Sequence, residues 1–444
     1  MSKSKGSISK GVDVITIWLY VLLVAIGLTA IFAVTYKEAD PVVSSFFSFK
    51  TDYSKQFYFF IVSAIIGVFI LVTDSKFFPA TANLWYAVGI LLLLLVFPFH
   101  SQVKGTESII RMGAIQFQPA EFCKVCVCLA LAKYISLPDM DFSKKRSQLI
   151  AAAIAIIPAI ITILQKETGL ALVYFSFFLV MYREGLPPTI LIIAFSIAGL
   201  VIASIVIDPN TLAIALTVIA LLVVILNRRQ IRKHKSLIIP IVALWFVCVG
   251  IQRFAVPFLF SSVLQKHQVE RIYSLFGKDN PYSEGPVIVT ASGAKKDNTA
   301  DYNVRQSKIA IGSGGLLGKG LLQGTQTRYD FVPEQRTDFI FCTIGEGFGF
   351  VGTTVLLFVY LLLLFRIIHL AERQRSVFSR CYAYGVAAVF FFHIAINVAM
   401  TVGLAPVIGI PLPFVSYGGT ALLTFTILLF ILIRLDADRQ MVLR

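Results

Sequence analysis

Glu121 and Lys124 stand three residues apart in an otherwise apolar run, FQPAEFCKVCVCLALA. On a helix that spacing places both side chains on one face. Lys166 and Glu167 interrupt a second apolar run. A charge near mid-membrane costs on the order of 2.5–3.5 kcal/mol on insertion scales, so such groups turn toward a cavity or a partner. Glu121, Lys124 and Glu167 are therefore expected to face one internal cavity. The plainer alternative is a structural ion pair, or snorkelling near a helix end.

The densest polar stretch is GSGGLLGKGLLQGTQTRYDFVPEQRTDFIF, residues 312–341. It is not a nucleotide motif. A P-loop needs glycine five positions before the glycine of its GK pair, then serine or threonine. Here position 313 is serine, and Gly318-Lys319 is followed by Gly320. The dinucleotide pattern fails at Leu317. What remains is a glycine turn followed by polar groups. Glycine permits positive φ and close backbone approach, so amides near Gly314, Gly315, Gly318 and Gly320 are candidates to cradle a phosphate, with Lys308 and Lys319 adding charge. Ordinary loop breakers beside solvated charges fit the composition equally.

Other chemistry is absent from the pattern. Six cysteines are scattered, and the three of CKVCVC (123–128) read as small packing residues within a helix. The five histidines are dispersed, without zinc-like spacing.

The elements that must carry these groups follow from composition. Hydrophobic residues are 57% of 444, charged residues 14%, and the mean hydropathy is +0.82, beyond the roughly 45–50% apolar content of a soluble domain. Twelve apolar segments are candidate spans: 12–34, 56–73, 84–99, 119–136, 148–164, 169–182, 187–208, 211–227, 236–264, 352–371, 382–404 and 420–435. Backbone groups in lipid must be satisfied internally, so these are helices; the alternating segments of a β-barrel are missing. The first is too long, and lacks the small-residue site, for a removable signal. Five basic clusters (Lys3/Lys5/Lys10, Lys144–Arg146, 228–235, Arg373/Arg375/Arg380 and Arg434/Arg439/Arg444) fall on one side if both termini are cytoplasmic. The net charge of +15 is then mostly a topology signal with anionic lipid as its partner, and no basic domain suited to nucleic acid is present. The expectation is an all-α polytopic membrane protein of about twelve helices, one membrane domain over 1–444, with a large extracytoplasmic segment at 265–351.

Three blocks carry a resemblance. QSKIAIGSGGLLGKGLLQGTQTRYDFVPEQRTDFIF (306–341), FQPAEFCK (117–124) and NVAMTVGLAPVIGIPLPFVSYGG (397–419) resemble the signature segments of the bacterial SEDS family, the shape, elongation, division and sporulation proteins. LQKETG (164–169) is a looser match to the family's QPDLG, with Glu167 where the family has aspartate. GTQ followed by FVPEQRTDFIF is closer to the elongation branch than to the division branch.

The resemblance implies a peptidoglycan glycosyltransferase that polymerises lipid II into nascent glycan at the outer face of the bacterial cytoplasmic membrane, beside a class B penicillin-binding protein and other elongation proteins. It implies no certain cofactor, with a divalent cation (Mg or Mn) in reserve. A lipid II flippase, a division-specific polymerase and a non-enzymatic scaffold are the rival readings. The implied base is an aspartate in a DP-x-G-x-GYN segment just before QSKIAIGSGG. This chain reads GKDNPYSEGPVIVTASGAKKDNTADYNVRQS (277–307) there, which looks like an insertion. Asp279 is the first choice by position, and Asp301 and Asp297 are fallbacks. The implied binding set is Gln306, Lys308, Gly314, Gly315, Lys319, Thr325, Gln326, Glu334, Asp338 and Ser416, with Glu121, Lys124 and Glu167. Arg111 takes over the charge of a family Arg-Trp that is Ser108-Ile109 here. A family Glu-Glu pair is Glu346-Gly347, so one carboxylate there is dispensable. The family has ten spans, and the extra pair is placed between about 187 and 264.

Overall fold

The fold begins at a capped helix end. Asp13 precedes α1 (Val14–Thr35) and accepts from the Thr16 amide at 3.1 Å and the Thr16 hydroxyl at 2.5 Å, satisfying donors that the first turn leaves unpaired. The computed structural model describes residues 11–36, 46–99, 101–103, 106–112, 115–264, 266–276, 278, 281 and 299–439. The chain divides into two compact units, one of Met1–Leu186 with Asn303–Arg444, the other of Pro187–Tyr302.

In the first unit α1 is followed by α2 (Asp52–Val72) and α3 (Phe77–Phe99), then by α4 (Pro119–Ile135), α5 (Lys145–Leu164), α6 (Thr168–Tyr174) and α7 (Phe177–Arg183). Between α3 and α4 lies a small antiparallel sheet of β1 (Ser101–Val103), β2 (Thr106–Met112) and β3 (Ile115–Phe117), in that order, with Arg111 opposite Gln116. The all-α expectation omits this sheet. Its signal is the β-rich run TESIIRM between glycines 105 and 113.

The second unit holds α8 (Pro188–Val206), α9 (Pro209–Leu226), the short α10 (Arg228–Lys233), α11 (Ile238–Gly250), continued through π-helical turns to Val263, and α12 (Lys266–Leu275). Leu212 is the one buried residue of α9, and α11 has none. Helices apolar all round and exposed all round belong in hydrocarbon. The segment where sequence placed the extra pair lies wholly within this unit.

The chain re-enters the first unit at Asn303, within α13 (Thr299–Ser313), and continues with α14 (Thr325–Arg328), α15 (Ile340–Glu372), α16 (Val377–Thr401) and α17 (Gly419–Ala437). Among the described residues ten helices are long and apolar enough to cross a membrane. The other two expected segments are helical as well: α4 has seventeen residues with Glu121, Lys124 and Lys133 on it, and 169–182 forms the short α6 and α7. The centre of this unit is α16 and α17, buried over 61% and 72% of their most apolar windows, against 6% for α8 and α9. Cys123, Cys126 and Cys128 are buried free thiols on α4; Gly89 and Gly385 leave room for the last two.

Two polar regions sit at opposite ends of α15. Glu346 and Arg366 are twenty residues apart, about 30 Å of helix. At the far end Arg366 Nε donates to Asp13 at 3.1 Å, and Arg373 Nε donates to the buried Asp436 at 2.7 Å. The near end carries the polar island.

Candidate functional site

The island is built around a break in a helix. Gly349 interrupts α15 with a φ of 63°. The next two amides, Phe350 and Val351, donate to the Gly315 and Leu316 carbonyls at 2.9 and 3.0 Å. In return the Lys319 and Gly320 amides donate to the Glu346 and Gly347 carbonyls at 3.0 and 2.9 Å. The two backbones run so close that a Cβ on Gly314 or Gly318 would collide with the Gly345 or Gly347 carbonyl. Glycine is required here by approach.

This packing corrects the phosphate-cradle expectation. The Gly314 and Gly315 amides donate to Ile311 and Gly312 at 3.2 and 3.3 Å, and those of Gly318 and Gly320 to Gly314 and Gly347 at 2.8 and 2.9 Å. All four are spent on carbonyls, as buried backbone donors must be. What the turn presents outward is side chains.

Glu346 organises those side chains. Fully buried on α15, it accepts from Lys319 Nζ at 2.7 Å, from the Gln326 and Thr327 amides at 2.9 Å each, and more distantly from Thr325 and Ser313. The carboxylate thus caps α14 from another helix. Lys319 Nζ also donates to Thr325 Oγ1 at 2.9 Å. Two of its three N–H groups have partners among the described residues, while its side chain stays 27% exposed. Gln326 Oε1 is a buried acceptor without a donor among the described residues. The carboxylate that remains of the family's Glu-Glu pair is the hub. Its signal was a lone charge within an apolar helix, which demands a partner.

A second loop packs beneath. Ser416, 4% exposed, donates to the Thr337 carbonyl at 2.6 Å and accepts from the Leu412 amide at 2.8 Å. Its hydroxyl staples two loops together, which corrects its expected place at a substrate surface. Asn397 Nδ2 bridges the Asp338 and Ile410 carbonyls at 2.9 and 2.7 Å. The half-buried Asp338 carboxylate lies against the Gly409 backbone. Leu322, Asp330, Glu334 and Phe414 all take positive φ, between 55° and 66°. Non-glycine residues held there store strain, a habit of functional loops.

Lys308 is exposed on α13, the ammonium end of its side chain against Gly403, and Gln306 is half-buried on the same helix. Asp301 lies in the first turn of α13. Asp279 and Asp297 lie outside the described residues. Arg111 is exposed on β2.

Within the helices the charges meet as their spacing demands, with one addition. Lys124 Nζ donates to Glu121 Oε2 at 2.6 Å and to His393 Nε2 at 2.8 Å, and His393 Nδ1 reaches the Pro411 carbonyl at 3.1 Å. That pattern assigns His393 as neutral with its proton on Nδ1. All three residues are buried, and Lys124 lies 5.1 Å from the Phe425 ring centroid. Glu167 accepts instead from Ser108 at 2.6 Å and Gln118 at 3.3 Å. So the expected trio resolves into a tight ion pair closed by a histidine, and a carboxylate that accepts from Ser108 and Gln118. Among the described residues no three His, Cys, Asp or Glu side chains gather as a metal site.

Comparison with known proteins adds the context. The FtsW/RodA/SpoVE model, described as a cell cycle protein, matches residues 14–211 and 187–441. The chain is 30% identical to peptidoglycan glycosyltransferase RodA of Treponema pallidum over 94% of this chain and 96% of that one. It is 29% identical to peptidoglycan glycosyltransferase MrdB of Escherichia coli K12 over 85% and 84%. Among solved structures, a chain from a peptidoglycan synthase complex that coordinates polymerization and crosslinking superposes with a TM-score of 0.64 at 21% identity, covering 96% of this chain and 98% of that one. The rod shape determining protein RodA of Thermus thermophilus gives 0.58 at 21%, covering 96% and 97%. At that identity the likeness is one of fold.

Proposed function

We propose, since the chain belongs to the FtsW/RodA/SpoVE cell cycle protein family, that it is an elongation-type peptidoglycan glycosyltransferase polymerising lipid II at the outer face of the bacterial cytoplasmic membrane. The observation that carries this is the end-to-end match to relatives bearing that activity in their names, 94% of this chain against 96% of one of them. The site supports it chemically. Glycosyl transfer joins the acceptor hydroxyl oxygen to the donor's anomeric carbon as the carbon–pyrophosphate bond breaks with inversion. The hydroxyl proton passes to a carboxylate, and the departing pyrophosphate needs cations.

Lys319 suits the second task. Glu346 and Thr325 fix its ammonium in place, leaving one N–H outward. Fixed donors cost no reorganisation when charge develops. Lys308, exposed on the neighbouring α13, is a second cation for the pyrophosphate. Asp279 is proposed as the base, with Asp301 and Asp297 behind it. A divalent cation, Mg or Mn, would be brought mainly by the pyrophosphate oxygens, because such ions need only one or two carboxylates. A class B penicillin-binding protein is the proposed partner, and both termini are proposed to be cytoplasmic.

The test is direct. Purified protein, with and without the partner transpeptidase, is incubated with lipid II and the products are sized on a gel. Glycan strands are expected in at least one condition. No strands in either, from folded protein, would leave the flippase or scaffold readings standing.

A further inference from the structure

The basic clusters of the chain are not alike. Arg373, Arg380, Arg434 and Arg439 each pair with a carboxylate: Asp436, Glu184 at 2.8 Å, Asp438 at 2.8 Å and Asp436 at 3.0 Å. Lys144, Lys145 and Arg146 are exposed and form no ion pair among the described residues, but Asp139 and Asp141 lie in the same loop. The cluster RRQIRKHK at 228–235 differs. Residues 209–269, the whole hairpin and its flanks, contain no aspartate or glutamate. Among the described residues none of Arg228, Arg229, Arg232, Lys233 and Lys235 forms an ion pair, and all five are exposed. Only Ile231 is buried, at 8% exposure.

The geometry makes that isolation costly. Arg228 and Arg232 are four apart on α10, as are Arg229 and Lys233, so two like-charge pairs stack on one short helix and repel. Nothing in the hairpin offsets this. α9 and α11 rise on either side, exposed and apolar, joined by a hydrogen bond from Trp245 Nε1 to Thr217 Oγ1 at 3.1 Å. α9 has eighteen residues, about 27 Å of rise, nearly the depth of the hydrocarbon layer. The tip is therefore set at headgroup level, where the available anion is a lipid phosphate.

We propose that the α9–α10–α11 hairpin tip is an anionic-phospholipid binding site, in which Arg228, Arg229, Arg232, Lys233 and Lys235 take the phosphates of lipids in the adjoining leaflet. Four or more basic residues at the end of a membrane helix form such a site; arginine forks suit phosphate by two-point hydrogen bonding. The charges of Arg373, Arg380, Arg434 and Arg439 are already met by carboxylates, and the exposed Lys144, Lys145 and Arg146 number three against the five basic residues of the hairpin tip.

The test uses full-length protein in neutral detergent, with phosphatidylglycerol and phosphatidylcholine of matched chains, counted by native mass spectrometry. Wild type is expected to retain the anionic lipid about ten-fold or more over the zwitterionic one. Arg228→Gln/Arg229→Gln/Arg232→Gln should remove most of that preference. The milder Lys233→Gln/Lys235→Gln, which leaves three cations for topology, should roughly halve it and decides the matter if the triple variant fails to fold. Arg375→Gln/Lys144→Gln should leave it unchanged. Equal retention by wild type and hairpin variants would overturn the proposal, as would an equal loss in the control. Displacement of the lipid by millimolar inorganic phosphate would overturn it in favour of a soluble anion.

Discussion

At the scale of single residues, the candidate site turns on two carboxylates of opposite character. Glu346 is fully buried and saturated with donors, so it positions other groups. Glu346→Ala is expected to cost about 3 kcal/mol, because it strands Lys319 and the α14 amides together; thermal unfolding in detergent would show it, with Glu346→Gln falling between that variant and wild type. Asp279, the proposed base, should behave in reverse. Asp279→Asn is expected to leave folding intact and reduce lipid II polymerisation by about 10²-fold or more, while Asp297→Asn and Asp301→Asn retain turnover. Loss confined to the Asp301 variant would move the base. The sequence made the Glu121–Lys124 pair legible because three-residue spacing on a helix is a geometric statement. It hid His393, 269 residues from Lys124, because contacts of that reach follow from helix packing rather than from spacing. The role of Glu346 was hidden for the same reason, since the Gln326 amide it accepts from lies twenty residues upstream.

At the scale of elements, the glycines separate into those that hold a conformation and those that do not. Gly349 has positive φ and its Cβ would press on Leu316 and Gly318. Gly312, in α13, has no atom within 4 Å of such a Cβ. Gly349→Ala is therefore expected to lower the melting temperature and glycan synthesis together, whereas Gly312→Ala should be neutral or stabilise by up to about 1 kcal/mol through helix propensity. The long apolar helices were legible, ten of them among the described residues, since apolar length is a strong signal. The amide cradle was misread because composition reveals glycines but not which carbonyls face them. Helix α1 offers a pH probe. Burial opposes ionisation of Asp13, but hydrogen bonds from Arg366 and Thr16 outweigh it and hold the carboxyl at about 2, below the ordinary 3.8. A depressed carboxylate stabilises the fold above its unfolded pKa and stops doing so as pH falls through the folded one. Asp13→Asn should therefore lower stability at neutral pH and flatten the acid limb between about pH 4 and 2; a denaturation series across that window reads it.

At the scale of the whole molecule, the proposed cytoplasmic placement of both termini predicts that reporters fused to the N- and C-terminus respond alike. In intact spheroplasts neither should be cut by external protease, and after lysis both should be. Charge placement through the depth of the chain has an electrical consequence as well. Glu121, Lys124 and neutral His393 sum to zero, so the cluster meets a transmembrane voltage only as a small dipole. Removing one partner leaves a single elementary charge, worth up to about 2.3 kcal/mol per 100 mV, scaled by the fraction of the field at its depth. In proteoliposomes clamped by a potassium gradient, wild-type turnover should stay flat with imposed potential. Glu121→Gln and Lys124→Met should respond with opposite signs, which would trace any flatness of the wild type to the cancelling charges of one buried pair.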